Sequence, residues 1–145
     1  MAFEFPLATV LRYRESIEKQ EERALGIIVA ELAQVWSRID DLAQQIETAR
    51  QTLEQAMRQT LPAIEVSMMA HQIEGMVQRR QELINSAAEL EHQRQAQNQK
   101  YQVAYSSRRM LSDMQDRQRE AYEQERVRAE QKLLDGLYAS RAQRG

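Results

Sequence analysis

Residues 25–56 read LGIIVAELAQVWSRIDDLAQQIETARQTLEQA. Within that stretch Leu25, Ile28, Leu32, Val35, Ile39, Leu42, Ile46, Ala49, Leu53 and Ala56 step by three and four without interruption, and each is apolar. A repeat of about 3.5 residues keeps one stripe facing a partner helix and imposes a left-handed supercoil. The residues between are mostly Glu, Asp, Gln and Arg, which solvate the other faces. The stretch is expected to be one coiled-coil helix.

The pattern fails at Thr60-Leu61-Pro62-Ala63-Ile64-Glu65-Val66-Ser67. Proline lacks an N–H and its ring clashes with the preceding turn, so an unbroken helix through Pro62 is disfavoured. Periodicity resumes at Met69, Ile73, Met76, Leu83, Ala87 and Leu90, with Arg80 the one charged position on the stripe. A short connection between two long stripes favours antiparallel neighbours. The expected fold is therefore all-α, a long antiparallel two-helix coiled-coil hairpin forming a single domain over 1–145. Helix 1 is placed at about 6–60, the bend at about 61–66 and helix 2 at about 67–141. The competing arrangement is a straight, Pro-kinked helix that dimerises. Folding at the bend brings Leu53 to Ile73, and Ile39 to Ala87 or Leu90. Farther from the bend the second stripe turns polar at Arg94, Gln97, Arg108, Gln115 and Gln118, and the first at Arg14, Glu18 and Glu21. Pairing there is expected to use Arg108 or Arg109 with Glu15 or Glu18. Helix 2 is also expected to overhang helix 1 by several turns at the end carrying both termini, where nothing in the chain covers it.

Outside the stripes the composition is that of long helices. Charged residues make up 29 % and aromatics only 6 %, with four Gly and two Pro, which leaves little to build sheets or a thick core. Gln, Glu, Arg, Ala and Leu are abundant and lose little rotamer freedom in a helix. The absence of Cys removes disulfides, thiolate chemistry and Cys-ligated zinc. No apolar run approaches the roughly 18 residues of a bilayer span. The opening Met1-Ala2-Phe3-Glu4-Phe5-Pro6 lacks the basic start and apolar stretch of a secretory signal. A cytoplasmic protein without direct membrane insertion is expected. A net charge of −2 argues against general nucleic-acid binding.

Catalytic constellations are missing. Gly26, Gly75, Gly136 and Gly145 stand in no phosphate-cradling motif. His71 and His92 are too far apart along a helix to share a metal and read as solvated helix residues. Asp40-Asp41 and Glu21-Glu22 read as solvated faces. No enzyme activity, cofactor or metal is expected.

Binding features are more visible. Trp36 lies at the seam edge, either draped over the seam or serving as a partner anchor, a role in which Trp is enriched. Met57, Met68, Met69 and Met76 cluster around the bend, as core or as an adaptable tip. From Arg108 to Asp135 the chain mixes Arg and Glu with few apolar residues. Such a run is either a soluble face laced with i,i+4 pairs or a segment that a ring or pore grips.

Two terminal motifs give this outline a resemblance. Phe3-x-Phe5-x-Leu7-x-x-Val10-Leu11-x-Tyr13-Arg14 is similar to the opening of the FliJ family of the bacterial flagellar export apparatus. Arg126-x-x-x-Glu130-Gln131-Lys132-x-Leu134-Asp135 is similar to that family's close, from which Gly136 departs where an acidic residue is expected. The resemblance covers nearly the whole length. It implies a type III protein-export component in flagellum biogenesis, and thereby in motility and chemotaxis. Such proteins resemble the central stalk of rotary ATPases: the terminal end enters a hexameric export ATPase, and other surfaces contact the membrane export gate and empty export chaperones. It places the chain peripherally at the cytoplasmic face of the inner membrane. On this sequence it implies ATPase-ring contacts at Arg126, Arg128, Gln131, Lys132 and Asp135, with Leu11 and Arg14 of the opening motif. Gate or chaperone contacts would fall at Trp36, Tyr101 and Tyr105. The stalk protein of virulence-type secretion systems shares the architecture. A generic structural coiled coil or filament segment is the reading from another class; it predicts self-association, where a stalk predicts monomers binding a ring.

Overall fold

A computed structural model describes residues 2–144. Among them are two helices and no strand: α1 spans Ala8–Arg58 and α2 spans Ala63–Arg144. The two pack against each other as an antiparallel helical hairpin, and the peptide bonds are all trans among the described residues.

Both helix starts are made by proline-containing turns. At the first, the Ala8 N–H donates to the Phe5 carbonyl (3.1 Å) and the Leu11 N–H to the Leu7 carbonyl (2.8 Å), so Pro6 sits just ahead of regular helix. At the second, the Pro62 carbonyl accepts from Glu65 N–H (3.1 Å) and Val66 N–H (3.4 Å) and opens α2. The connection is thus residues 59–62, earlier and tighter than the bend expected at 61–66. Likewise α1 begins at Ala8 rather than near 6 and ends at Arg58, and α2 runs from Ala63 to Arg144 rather than from 67 to 141. The stripe lapses over 60–67 partly because the backbone leaves the helix at 59–62, and over 63–67, where it is already helical, because this end is largely open. Met57, Ile64 and Met68 there are all exposed. A missing N–H costs nothing at a helix start, where the first donors have no intrahelical acceptor. Charges at the termini match the helix dipoles, with Glu65 in the first turn of α2 and Arg58, Arg141 and Arg144 in last turns.

Packing resolves the chain into two compact units, one of residues 22–100 and the other of the described residues within 1–21 and 101–145. In the first, Leu42, Ile46 and Ile73 form the core, with Ala49, Leu53, Met76, Val77 and Leu83 packed on it. Ile46 is the most deeply covered, at 1 % exposure. Every position of the Leu25–Ala56 stripe is buried or half-buried, and so are Met69, Ile73, Met76, Arg80, Leu83, Ala87 and Leu90 opposite. The three-and-four spacing is therefore the interface itself. In the second unit Phe5, Leu11 and Ala104 are buried. The α2 stripe there is polar as expected, with Arg108 and Gln115 half-buried in seam positions and Gln118 exposed.

No helix among the described residues is long and apolar enough to cross a membrane.

Candidate functional site

In the unit formed by the chain's two ends, an ion pair between Glu18 and Arg108 ties α1 to α2. Arg108 Nε donates to Glu18 Oε2 at 2.6 Å and Arg108 Nη2 to Glu18 Oε1 at 3.3 Å. The contact is bidentate, the planar fork meeting a carboxylate, and both side chains are largely covered. It realises one of the pairings expected from the sequence. Arg108 also donates to Ser112 Oγ (3.3 Å) and lies 5.2 Å from the Tyr105 ring centre. Hydrogen bonding to Glu18 holds the Arg108 guanidinium above even its usual range, so it is a permanent cation. Tyr105 is hemmed in further: its hydroxyl accepts from Arg109 Nη1 at 3.3 Å, and its ring stands 6.3 Å from Tyr101. Tyr101 and Tyr105 are consequently half-buried parts of this cluster.

The opening motif closes the paired region. Phe5 is buried, and the Phe3 ring sits 5.7 Å from the Tyr122 ring with the Arg119 guanidinium over it, also at 5.7 Å. Beyond Tyr122 every described residue of α2, from Glu123 to Arg144, is exposed. Those 22 residues extend roughly 33 Å along the helix. They form the overhang that the two stripe lengths implied.

Arg126, Arg128, Gln131, Lys132 and Asp135 all lie on this overhang and are exposed. Arg126 faces Glu123 at 3.6 Å and Glu130 at 4.0 Å, weak and solvated pairs. The other anticipated contacts are placed differently. Arg14 is exposed on α1, but Leu11 is only 7 % exposed and belongs to the packed interior rather than to a docking surface. An apolar residue on the inner face of α1 is taken up by the chain itself. Trp36 belongs to the other unit and is 48 % exposed, partly draped and partly open.

Sequence reading missed five large apolar side chains on the overhang: Val127, Leu133, Leu134, Leu137 and Tyr138, each more than half exposed. The signal was present in the register. Carrying the α2 seam past Tyr122 in steps of three and four lands on Glu125, Ala129, Lys132, Gly136 and Ala139. None is a large apolar residue. Val127, Leu134 and Leu137 lie instead on the face that α2 gives to solvent where it is paired. The overhang therefore presents a surface turned away from the line of α1.

A family model described as Flagellar FliJ protein matches residues 3–145. No curated protein and no solved structure matches the chain.

Proposed function

The chain belongs to the flagellar FliJ family of export-apparatus components, and from that premise we propose that it is the stalk of the hexameric export ATPase. The observation that carries this reading is the overhang, six turns of exposed single helix continuing past Tyr122, where Phe3 of the segment before α1 packs. A lone helix is about 10–12 Å across with its side chains and fits a collar too narrow for a helix pair. Arg128 and Lys132 point freely from it, and Arg126 is held only by solvated partners. Such cations suit carboxylates lining a ring, with guanidinium able to bind bidentately. In this role the chain binds and does not catalyse.

The half-open Trp36 offers an aromatic anchor for the export gate or an empty export chaperone. Tyr101 and Tyr105 serve that purpose only through their exposed edges. The working location is cytoplasmic, at the inner face of the membrane that holds the gate.

The test compares two charge-reversed variants in a binding titration against the purified flagellar export ATPase, at low and at physiological salt. One carries Arg126→Glu, Arg128→Glu and Lys132→Glu; the other carries Arg58→Glu and Arg79→Glu near the bend. Circular dichroism first checks that helix content is kept, because the terminal variant places like charges three and four apart. Binding is expected to fall sharply for the terminal variant alone, with a weaker salt dependence of what remains. Equal loss from both, or loss only from the bend variant, refutes the proposal.

A further inference from the structure

Val127, Leu134 and Leu137, three of the five large apolar side chains exposed on the overhang, belong to a second seam. Glu120, Glu123, Val127, Glu130, Leu134, Leu137, Arg141 and Arg144 follow one another by three and four, the spacing of a coiled-coil interface. All eight are exposed. The row is graded by charge: two glutamates stand at the end near α1, two arginines at the far end, and Val127, Glu130, Leu134 and Leu137 lie between. Laid antiparallel on a second copy of itself, it is complementary. Glu120 meets the partner's Arg144, Glu123 meets the partner's Arg141, and Val127 meets the partner's Leu137. A parallel arrangement would set glutamate on glutamate and arginine on arginine, which is unfavourable. Glu130 opposite the partner's Leu134 is the mismatched pairing; it falls beside the two-fold axis and occurs twice, flanked on each side by Val127 and Leu137.

We propose that, in the free protein, residues 120–144 pair antiparallel with the same residues of a second copy, forming a closed dimer. The contact is isologous, every pairing occurring twice about a two-fold axis, so it ends at two copies rather than growing into a filament. A second copy's α1 is a poor occupant, because the seam register that α1 reads here offers Glu125, Lys132 and Gly136. An unpaired helix interrupted by Gly136 is marginal in water, and covering its apolar row stabilises it. The intrahelical contact of Glu123 with Arg126 does not compete strongly, since exposed pairs of that spacing contribute only about 0.2–0.5 kcal/mol. This pairing does not rest on the stalk assignment. If both hold, dimer and ring draw on the same residues, and the dimer is the idle form.

Sedimentation velocity of the full chain over a concentration series tests it. The wild type is expected to pass from monomer to dimer and no further. Two variants decide the register: one with Glu120→Arg and Glu123→Arg, so that the row is basic at both ends, and one with Arg141→Glu and Arg144→Glu, so that it is acidic at both. Each alone is expected to dimerise about tenfold more weakly or worse, while their equimolar mixture, complementary at every end contact, restores the dimer. A third variant, Leu134→Glu with Leu137→Glu, is expected to stay monomeric, and helix content and melting of the hairpin report that each variant is folded. A monomeric wild type throughout the series, assembly beyond two copies, or a mixture no tighter than its components overturns the proposal.

Discussion

Replacing Ile46 with alanine isolates what holds the helix pair together, because Ile27 provides a control of identical chemistry on the same helix. Ile46 is 1 % exposed and lies in the core with Leu42 and Ile73, whereas Ile27 is 62 % exposed. The substitution removes three carbons, which at about 0.8 kcal/mol each amounts to roughly 2.4 kcal/mol of lost burial. A cavity adds to this, but the walls of a two-helix interface relax inward and keep that addition small. Alanine is the better helix former, by roughly 0.4 kcal/mol, and that gain applies equally at both sites. The expected net cost is therefore about 2–3 kcal/mol at Ile46 and within about 0.5 kcal/mol of zero at Ile27. Urea denaturation followed by circular dichroism at 222 nm measures both. The two midpoints should separate clearly while the slopes stay equal, since the exposed surface on unfolding is the same. Equal losses from the two variants would mean that the seam does not face the other helix.

Three further outcomes follow from the geometry. In a double-mutant cycle, Glu18→Ala and Arg108→Ala should couple by about 1 kcal/mol, the upper range for an incompletely buried pair, in denaturant melts; no coupling would contradict the bidentate contact. The Glu91 carboxyl is held below the ordinary glutamate range, first by the hydrogen bond from Arg94, so its contribution is present above the unfolded-state pKa and is lost as pH falls through the lower folded value. Side-chain carboxyl NMR should show Glu91 titrating at lower pH than a typical glutamate, and Arg94→Gln should bring it back; an unchanged midpoint would remove Arg94 as the cause. Pro62→Ala should leave the helix boundaries in place and cost about 0.4–1 kcal/mol through a freer unfolded chain, which amide-exchange protection and melting together report; a continuous helix through 59–62 would show that the proline enforces the turn.

The architecture was legible wherever the hydrophobic spacing was strict. Leu25 through Ala56 announced the helix, its inner face and its partner's position, because burial in a two-helix pair depends on little except the apolar period. The bend was misplaced for the complementary reason. Ile64 and Met68 have no neighbour across the tip, so periodicity says nothing where Pro62 already starts a helix. Leu11 was expected on a docking surface because it sits in a terminal motif, but an apolar residue on the α1 inner face packs first with its own chain. The overhang was foreseen from the unequal stripe lengths. Its apolar row through Val127, Leu134 and Leu137 is less legible, because these residues are interspersed with Arg126, Arg128 and Lys132 and lie off the seam that α1 reads.

Removing residues 123–145 tests whether the overhang is the part of the chain that engages the ATPase. These residues lie beyond the Phe3–Tyr122 contact, and those described are all exposed, so their loss leaves the packed seam and the Glu18–Arg108 pair untouched. The measurement is stimulation of the flagellar export ATPase by the shortened chain against the full chain, at matched concentration. The shortened hairpin is expected to melt as before and neither to bind nor to stimulate the ATPase. Undiminished stimulation by a chain ending at Tyr122 would contradict that role of the overhang.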